Sequence, residues 1–115
     1  MSKVTIYYNP RCSKCRQSLE LVKKQTTNIE INEYLDSPPT PGQLTHIISL
    51  GIRAKDLIRT NENEWKQLSL DIDSCSDEEL VNAITNHPKI MQRPIVLANG
   101  KAIIARPPEK AMEIL

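Results

Sequence analysis

The sequence predicts one α/β domain, built as a strand-helix-strand unit, a helical insertion, and a β-hairpin followed by a short C-terminal helix. Three observations carry that expectation. Val4-Thr5-Ile6-Tyr7-Tyr8 is rich in β-branched and aromatic residues and stops at the loop signal Asn9-Pro10. From Ser13 onward Cys15, Ser18, Leu19 and Val22 recur at helical spacing, with Lys23 and Lys24 on the far side. Near the C-terminus, two apolar runs between Arg93 and Ala105 are joined by Asn99-Gly100, the strongest short hairpin signal. At 115 residues the chain has room for one hydrophobic core, so a single domain over residues 1–115 is expected.

The remaining elements follow in order. Residues 29–35 alternate apolar with polar and read as a second strand, parallel to the first through a right-handed crossover. Asp36-Ser37-Pro38-Pro39 is a linker. Thr40-Pro41-Gly42-Gln43 combines an N-cap threonine, proline at the first helical position and glutamine at the third, so a capping box opens a helix that runs to about Leu50. Short helical pieces are expected at 54–58 and at roughly 62–68, the latter carrying the only tryptophan, Trp65. Ser76-Asp77-Glu78-Glu79 opens another helix with an apolar face of Leu80, Ala83 and Ile84, ending near His87-Pro88. Residues 40–87 thus form the helical insertion. Pro107-Pro108 then starts a short helix through Ala111, Met112, Ile114 and Leu115. The strands combine into a four-stranded mixed sheet.

Composition narrows the function. The 39% hydrophobic and 25% charged content is that of an ordinary globular protein. Fifteen basic against fourteen acidic residues give a net charge of +1, so no global field recruits nucleic acid or anionic lipid. The N-terminal apolar run is too short for a signal peptide, and no stretch approaches the roughly 20 apolar residues of a membrane span. A cytoplasmic protein is expected. Three cysteines in such a chain point to thiol chemistry or simple burial rather than a disulfide framework.

Cys12-Ser13-Lys14-Cys15, between a strand and a helix, has the spacing of a thioredoxin-like redox motif. A helix N-terminus offers unpaired N–H groups and partial positive charge, which favour a thiolate at Cys12, helped by Arg11, Lys14 and Arg16. Cys15 lies one turn further in. The competing reading is that both are small buried hydrophobes; the strand-to-helix placement favours chemistry for Cys12 and leaves Cys15 open between the two. Arg59, Arg93 and Arg106 each lie beside an element expected to converge on Cys12, and arginine's forked donors suit a tetrahedral oxyanion. On pattern alone any one of them is also a solvated surface charge. Arg93-Pro94 permits a cis peptide. His46 and His87 lack the spacing of a metal site and read as structural, so no metal is expected. Cys75 reads as a bystander and Trp65 as core or surface cover.

Taken together, Tyr-Asn-Pro-Arg-Cys-Ser around Cys12, Tyr34-Leu35 with Pro38-Pro39, Leu57-Ile58-Arg59, His87-Pro88, Arg93-Pro94-Ile95-Val96 and Arg106-Pro107-Pro108-Glu109 resemble one family from end to end. This is the glutaredoxin-coupled ArsC arsenate reductase family, with its YfgD-like branch. The resemblance implies a thioredoxin-like fold with a helical insertion, and a Cys12 that attacks arsenate to form a thiol-arsenate adduct. It further implies that glutathione, a co-substrate rather than a bound cofactor, attacks the adduct and that glutaredoxin completes reduction to arsenite. Arg59, Arg93 and Arg106 would hold the oxyanion, and the loop from Asn9 to Ser13, with Arg11 and Ser13, would add N–H donors. A monomer is expected.

Two positions depart from the family. Tyr8 stands where its well-studied members have histidine, so thiolate formation must rest on the helix end and the nearby cations. Cys15 replaces a serine or other small residue, and a resolving thiol there could close a Cys12–Cys15 disulfide for a glutaredoxin or thioredoxin to reduce. Two rivals share the pattern: an Spx-like redox regulator that binds RNA polymerase, and a general CxxC thiol-disulfide oxidoreductase. Arg106-Pro107-Pro108-Glu109 argues against the first, and the three arginines against the second.

Overall fold

A computed structural model describes residues 3–115. The chain divides into two compact units, one being Pro38–Gln92 and the other assembled from the segments on either side of it. The latter unit carries all four strands: β1 (Val4–Tyr8), β2 (Ile29–Glu33), β3 (Ile95–Ala98) and β4 (Lys101–Ile104), with helix α1 (Ser13–Lys23) between the first two. They form one mixed sheet in the order β2-β1-β3-β4. β1 runs parallel to β2, with Ile6 opposite Ile31, and antiparallel to β3, with Ile6 opposite Val96. Central β1 and β3 are thus nearly all buried, whereas edge strand β2 leaves Ile31 46% exposed.

The buried positions of α1 are Cys15, Ser18, Leu19 and Val22, the stripe expected from the spacing. Leu19 and Val22 join Val4, Ile6, Val96 and Ala98 in one apolar cluster that Ala105, Ala111 and Ile114 complete. Burying a side chain such as Ile6, which is fully inaccessible, stabilises by about 1.5–3 kcal/mol. The hairpin turns on Asn99 (φ 52°) and Gly100 (φ 75°), the left-handed pair that a two-residue turn matching strand twist requires.

Two boundaries differ from expectation. β2 stops at Glu33 rather than Leu35, because the Glu33 carbonyl accepts from the N–H groups of Asp36 and Ser37 and folds the chain into a turn. The C-terminal helix is a 3-10 helix, Pro108–Glu113. Its inward residues are Pro108, Ala111 and then Ile114, a spacing of three that stacks on one face of a three-residue turn, while Met112 faces solvent.

The Pro38–Gln92 unit contains α2 (Pro41–Ser49), α3 (Asn63–Gln67) and α4 (Asp77–Asn86), with 3-10 turns at Ala54–Leu57 and Pro88–Ile90. Leu44, Ile47, Leu57, Leu80, Ile84, Ile90 and Met91 are fully inaccessible, and Trp65 is buried too. Both capping boxes form. Thr40 Oγ1 accepts from the Gln43 N–H at 3.1 Å and Gln43 Oε1 from the Thr40 N–H at 2.9 Å, and Ser76 and Glu79 repeat the pattern. Thr40→Ala is therefore expected to cost about 1 kcal/mol, read as a lower urea midpoint at unchanged slope. Among the described residues no helix is long and apolar enough to cross a membrane.

Candidate active site

The loop after β1 is tied down by its own side chains. Asn9 Oδ1 accepts from the Arg11 N–H and the Asn9 carbonyl from the Cys12 N–H, each at 3.0 Å, an arrangement that asparagine favours in turns. Arg16 reaches back from α1, its Nη1 donating to the Pro10 carbonyl at 2.8 Å. These contacts correct one expectation: the N–H groups of Arg11 and Cys12 are already spent on Asn9, so the loop does not present them to a ligand. Ser13 is the exposed first residue of α1, and the Arg11 side chain is exposed.

Cys12 is the N-cap of α1, with extended backbone and no cap hydrogen bond from its side chain as a thiol. Ionised, its sulfur is the acceptor for the Cys15 N–H, the Cys15 S–H and the Lys14 N–H. Burial is the largest single influence on this thiol and pushes its pKa up. The three donors and the positive charge of Arg93 outweigh it, and the net direction is below the ordinary thiol value. Cys15 behaves in the opposite way. Completely inaccessible, it is pushed up to about 12 by burial and by the Cys12 thiolate, against the Asn9 backbone and Arg93. As pH rises the pair therefore gives up its first proton from Cys12 and keeps the second on Cys15, which serves as a donor to its neighbour.

Arg93 lies at the entrance to β3, where the Arg93-Pro94 peptide is cis, as the sequence permits. Its Nε and Nη1 are shielded from water and have no hydrogen-bond acceptor among the described residues. Leaving a buried donor unmatched costs about 1–3 kcal/mol, and more when the group is charged, so these two donors are free to pair with an anion. Arg106 supports it: Arg106 Nη1 donates to the Arg93 carbonyl at 3.0 Å. Arg59 belongs to the other unit. Its N–H donates to the Ile90 carbonyl at 2.7 Å, and its Nη1 pairs with Glu62 Oε2 at 3.1 Å, both side chains being about three-quarters buried. Glu62 is a partner that the sequence reading missed, although its spacing of three from Arg59 was there to be read.

The remaining candidates separate from this chemistry. The Tyr8 phenol is pushed up by burial, then by Cys15, Glu33 and Glu20 against Arg16, so it stays protonated and supplies no base. His87 does have a carboxylate beside it, Glu64 at 3.6 Å, shared with Lys89 at 3.7 Å. Among the described residues no three His, Cys, Asp or Glu side chains gather as metal ligands. Cys75 is a free thiol whose pKa is raised by desolvation and by the charges of Glu79 and Asp71.

If the Cys15 S–H is what favours the thiolate, Cys15→Ala raises the pKa of Cys12, whereas Cys15→Ser retains a donor and keeps it low. Iodoacetamide alkylation of Cys12 as a function of pH reads this. An unmoved midpoint in Cys15→Ala would assign the effect to the helix end and Arg93 alone.

A four-stranded β2-β1-β3-β4 sheet with a low-pKa cysteine capping its first helix defines a thiol protein of the thioredoxin-like fold. Residues 7–114 match the ArsC family, and the chain belongs to that family. It is 44% identical over 115 residues to the uncharacterized protein YfgD of Escherichia coli (strain K12), covering 98% of this chain and 97% of that one. The arsenate reductase of Neisseria meningitidis serogroup A is 39% identical over 117 residues, with both chains covered completely. Among solved structures, the arsenate reductase from Vibrio cholerae superposes with a TM-score of 0.91 at 38% identity, covering 98% of each chain.

Proposed function

We propose that this chain is an arsenate reductase dependent on glutathione and glutaredoxin, with Cys12 as its nucleophile. The observation that carries the reading is the low-pKa thiolate of Cys12 beside the unmatched donors of Arg93. The Cys12 thiolate bonds to arsenic, and one arsenate oxygen leaves as water after taking up protons. Arg93, with Arg106 behind it, offsets the negative charge, and Arg59 is the third arginine that the family resemblance assigns to the oxyanion. The Ser13 N–H and the Arg11 side chain add further positive potential at the helix end. The glutathione sulfur bonds to arsenic in the adduct, a second oxygen leaving as water, and a glutaredoxin thiol removes the glutathionyl group as a mixed disulfide. The electron pair left behind takes arsenic(V) to arsenic(III), and water then displaces the Cys12 sulfur from arsenic to release arsenite and restore the thiol.

Cys15 supports a shorter route, because its S–H already points at the Cys12 sulfur. Attack there would form a Cys12–Cys15 disulfide and leave the same electron pair on arsenic, the Cys15 proton passing to an arsenic oxygen. Its high pKa slows that attack and favours glutathione as the first reductant. The reading has the protein acting as a cytoplasmic monomer without a bound cofactor.

The test is NADPH oxidation coupled through glutathione, glutathione reductase and glutaredoxin. A rate that rises with arsenate supports the reading. No turnover with either a glutaredoxin or a thioredoxin system would overturn it and turn attention to RNA polymerase binding in the reduced and oxidised states.

A further inference from the structure

A cavity of about 270 Å3 opens at the carboxyl ends of the parallel strands β1 and β2. Its lining comes from two segments: Tyr8 at the end of β1 with Asn9, Pro10 and Arg11 of the loop that leads to Cys12, and Glu33 at the end of β2 with Leu35 and Asp36 of the turn beyond it. Tyr8 and Glu33 are partners in the β1–β2 register. The turn that ends β2 early, closed on the Glu33 carbonyl, is what brings Asp36 to the same cavity as Glu33.

Lys3, Arg53 and Arg59 all find carboxylate partners. Arg11, Glu33 and Asp36 line one cavity with opposite signs, yet none of the three is in an ion pair among the described residues. Crevices at the carboxyl ends of parallel strands are where open α/β sheets take ligands. A small cavity with separated charges of both signs, none of them in an ion pair, and apolar surface from Pro10 and Leu35 between them fits a ligand that is itself zwitterionic. Its volume, just below that of common small-molecule sites, suits a peptide of two or three residues rather than a folded partner.

We propose that this cavity is the entry site for the reducing thiol, a zwitterionic peptide thiol of the glutathione class. A carboxylate of the peptide pairs with Arg11, its ammonium lies between Glu33 and Asp36, and its thiol is directed along the loop to Cys12. The assignment rests on the arsenate reductase reading and adds to it where the second thiol binds before it attacks the adduct.

Two measurements test it. In turnover, Glu33→Gln with Asp36→Asn is expected to raise the KM for glutathione about tenfold relative to that for 2-mercaptoethanol, which has no ammonium to lose, as the loss of one charged hydrogen bond predicts. An unchanged ratio would overturn the proposal. Independently of arsenate, titration of Cys12→Ala with S-methylglutathione should shift the amide NMR signals of Tyr8, Arg11, Leu35 and Asp36. The midpoint should weaken about tenfold when Glu33→Gln and Asp36→Asn are added. Absence of these shifts at millimolar ligand would overturn the site. Shifts without arsenate turnover would retain the thiol site and reject the arsenate reading alone.

Discussion

Cys12→Ala is expected to lose at least about ten-thousandfold in arsenate-dependent turnover, the scale seen when a covalent nucleophile is removed. Neither remaining thiol can replace it. Cys15 is inaccessible with a pKa pushed up to about 12, and Cys75 is held protonated by desolvation and its acidic neighbours. The same difference predicts the order of alkylation in the wild type. As pH rises, Cys12 ionises first and reacts with iodoacetamide below the pH at which an ordinary thiol would, followed by Cys75. Peptide mapping after a short exposure at neutral pH reads this directly. Preferential labelling of Cys75 would contradict the assignment of the thiolate.

Arg93→Ala should produce the next largest effect. Its guanidinium favours ionisation of both cysteines and holds two donors out of water without an acceptor. Removing it raises the Cys12 pKa, so the alkylation profile moves to higher pH. Under the proposed mechanism kcat/KM for arsenate falls by about a hundredfold or more, as for loss of one oxyanion donor in other enzymes. Arg93→Lys tests the two contributions separately. A lysine restores the charge but not the forked donors, so it should return the alkylation profile further than it returns turnover. Equal recovery of both would mean that Arg93 acts through charge alone.

The regular elements were legible because each carried a local signal. The stripe Cys15, Ser18, Leu19 and Val22 faces inward as its spacing requires, both capping boxes form, and Asn99-Gly100 turns the hairpin. What the sequence hid depends on distant partners. Alternation at Ile29 and Ile31 suggested a half-buried strand, but β2 lies at a sheet edge, and Ile31 is exposed. In the candidate site, the helix end beside Cys12 could be read from a dozen residues. That Arg93, eighty residues away in the chain, would be the cation acting on that thiol, and that Cys15 would be a buried donor, required the fold. Arg11, Glu33 and Asp36 become one cavity only through the β1–β2 register and the turn after Glu33.

The pairing of β1 with β3 sets Thr5 against Leu97, so the sheet closes only after most of the chain has been synthesised. Such long-range closure makes folding slower than the local helices would allow. While the chain emerges from the ribosome, β1 and α1 are available early, but Cys12 then lacks the positive charge of Arg93. The share of its acidity that Arg93 supplies therefore arrives only with the last strands, after the helix end that supplies the rest.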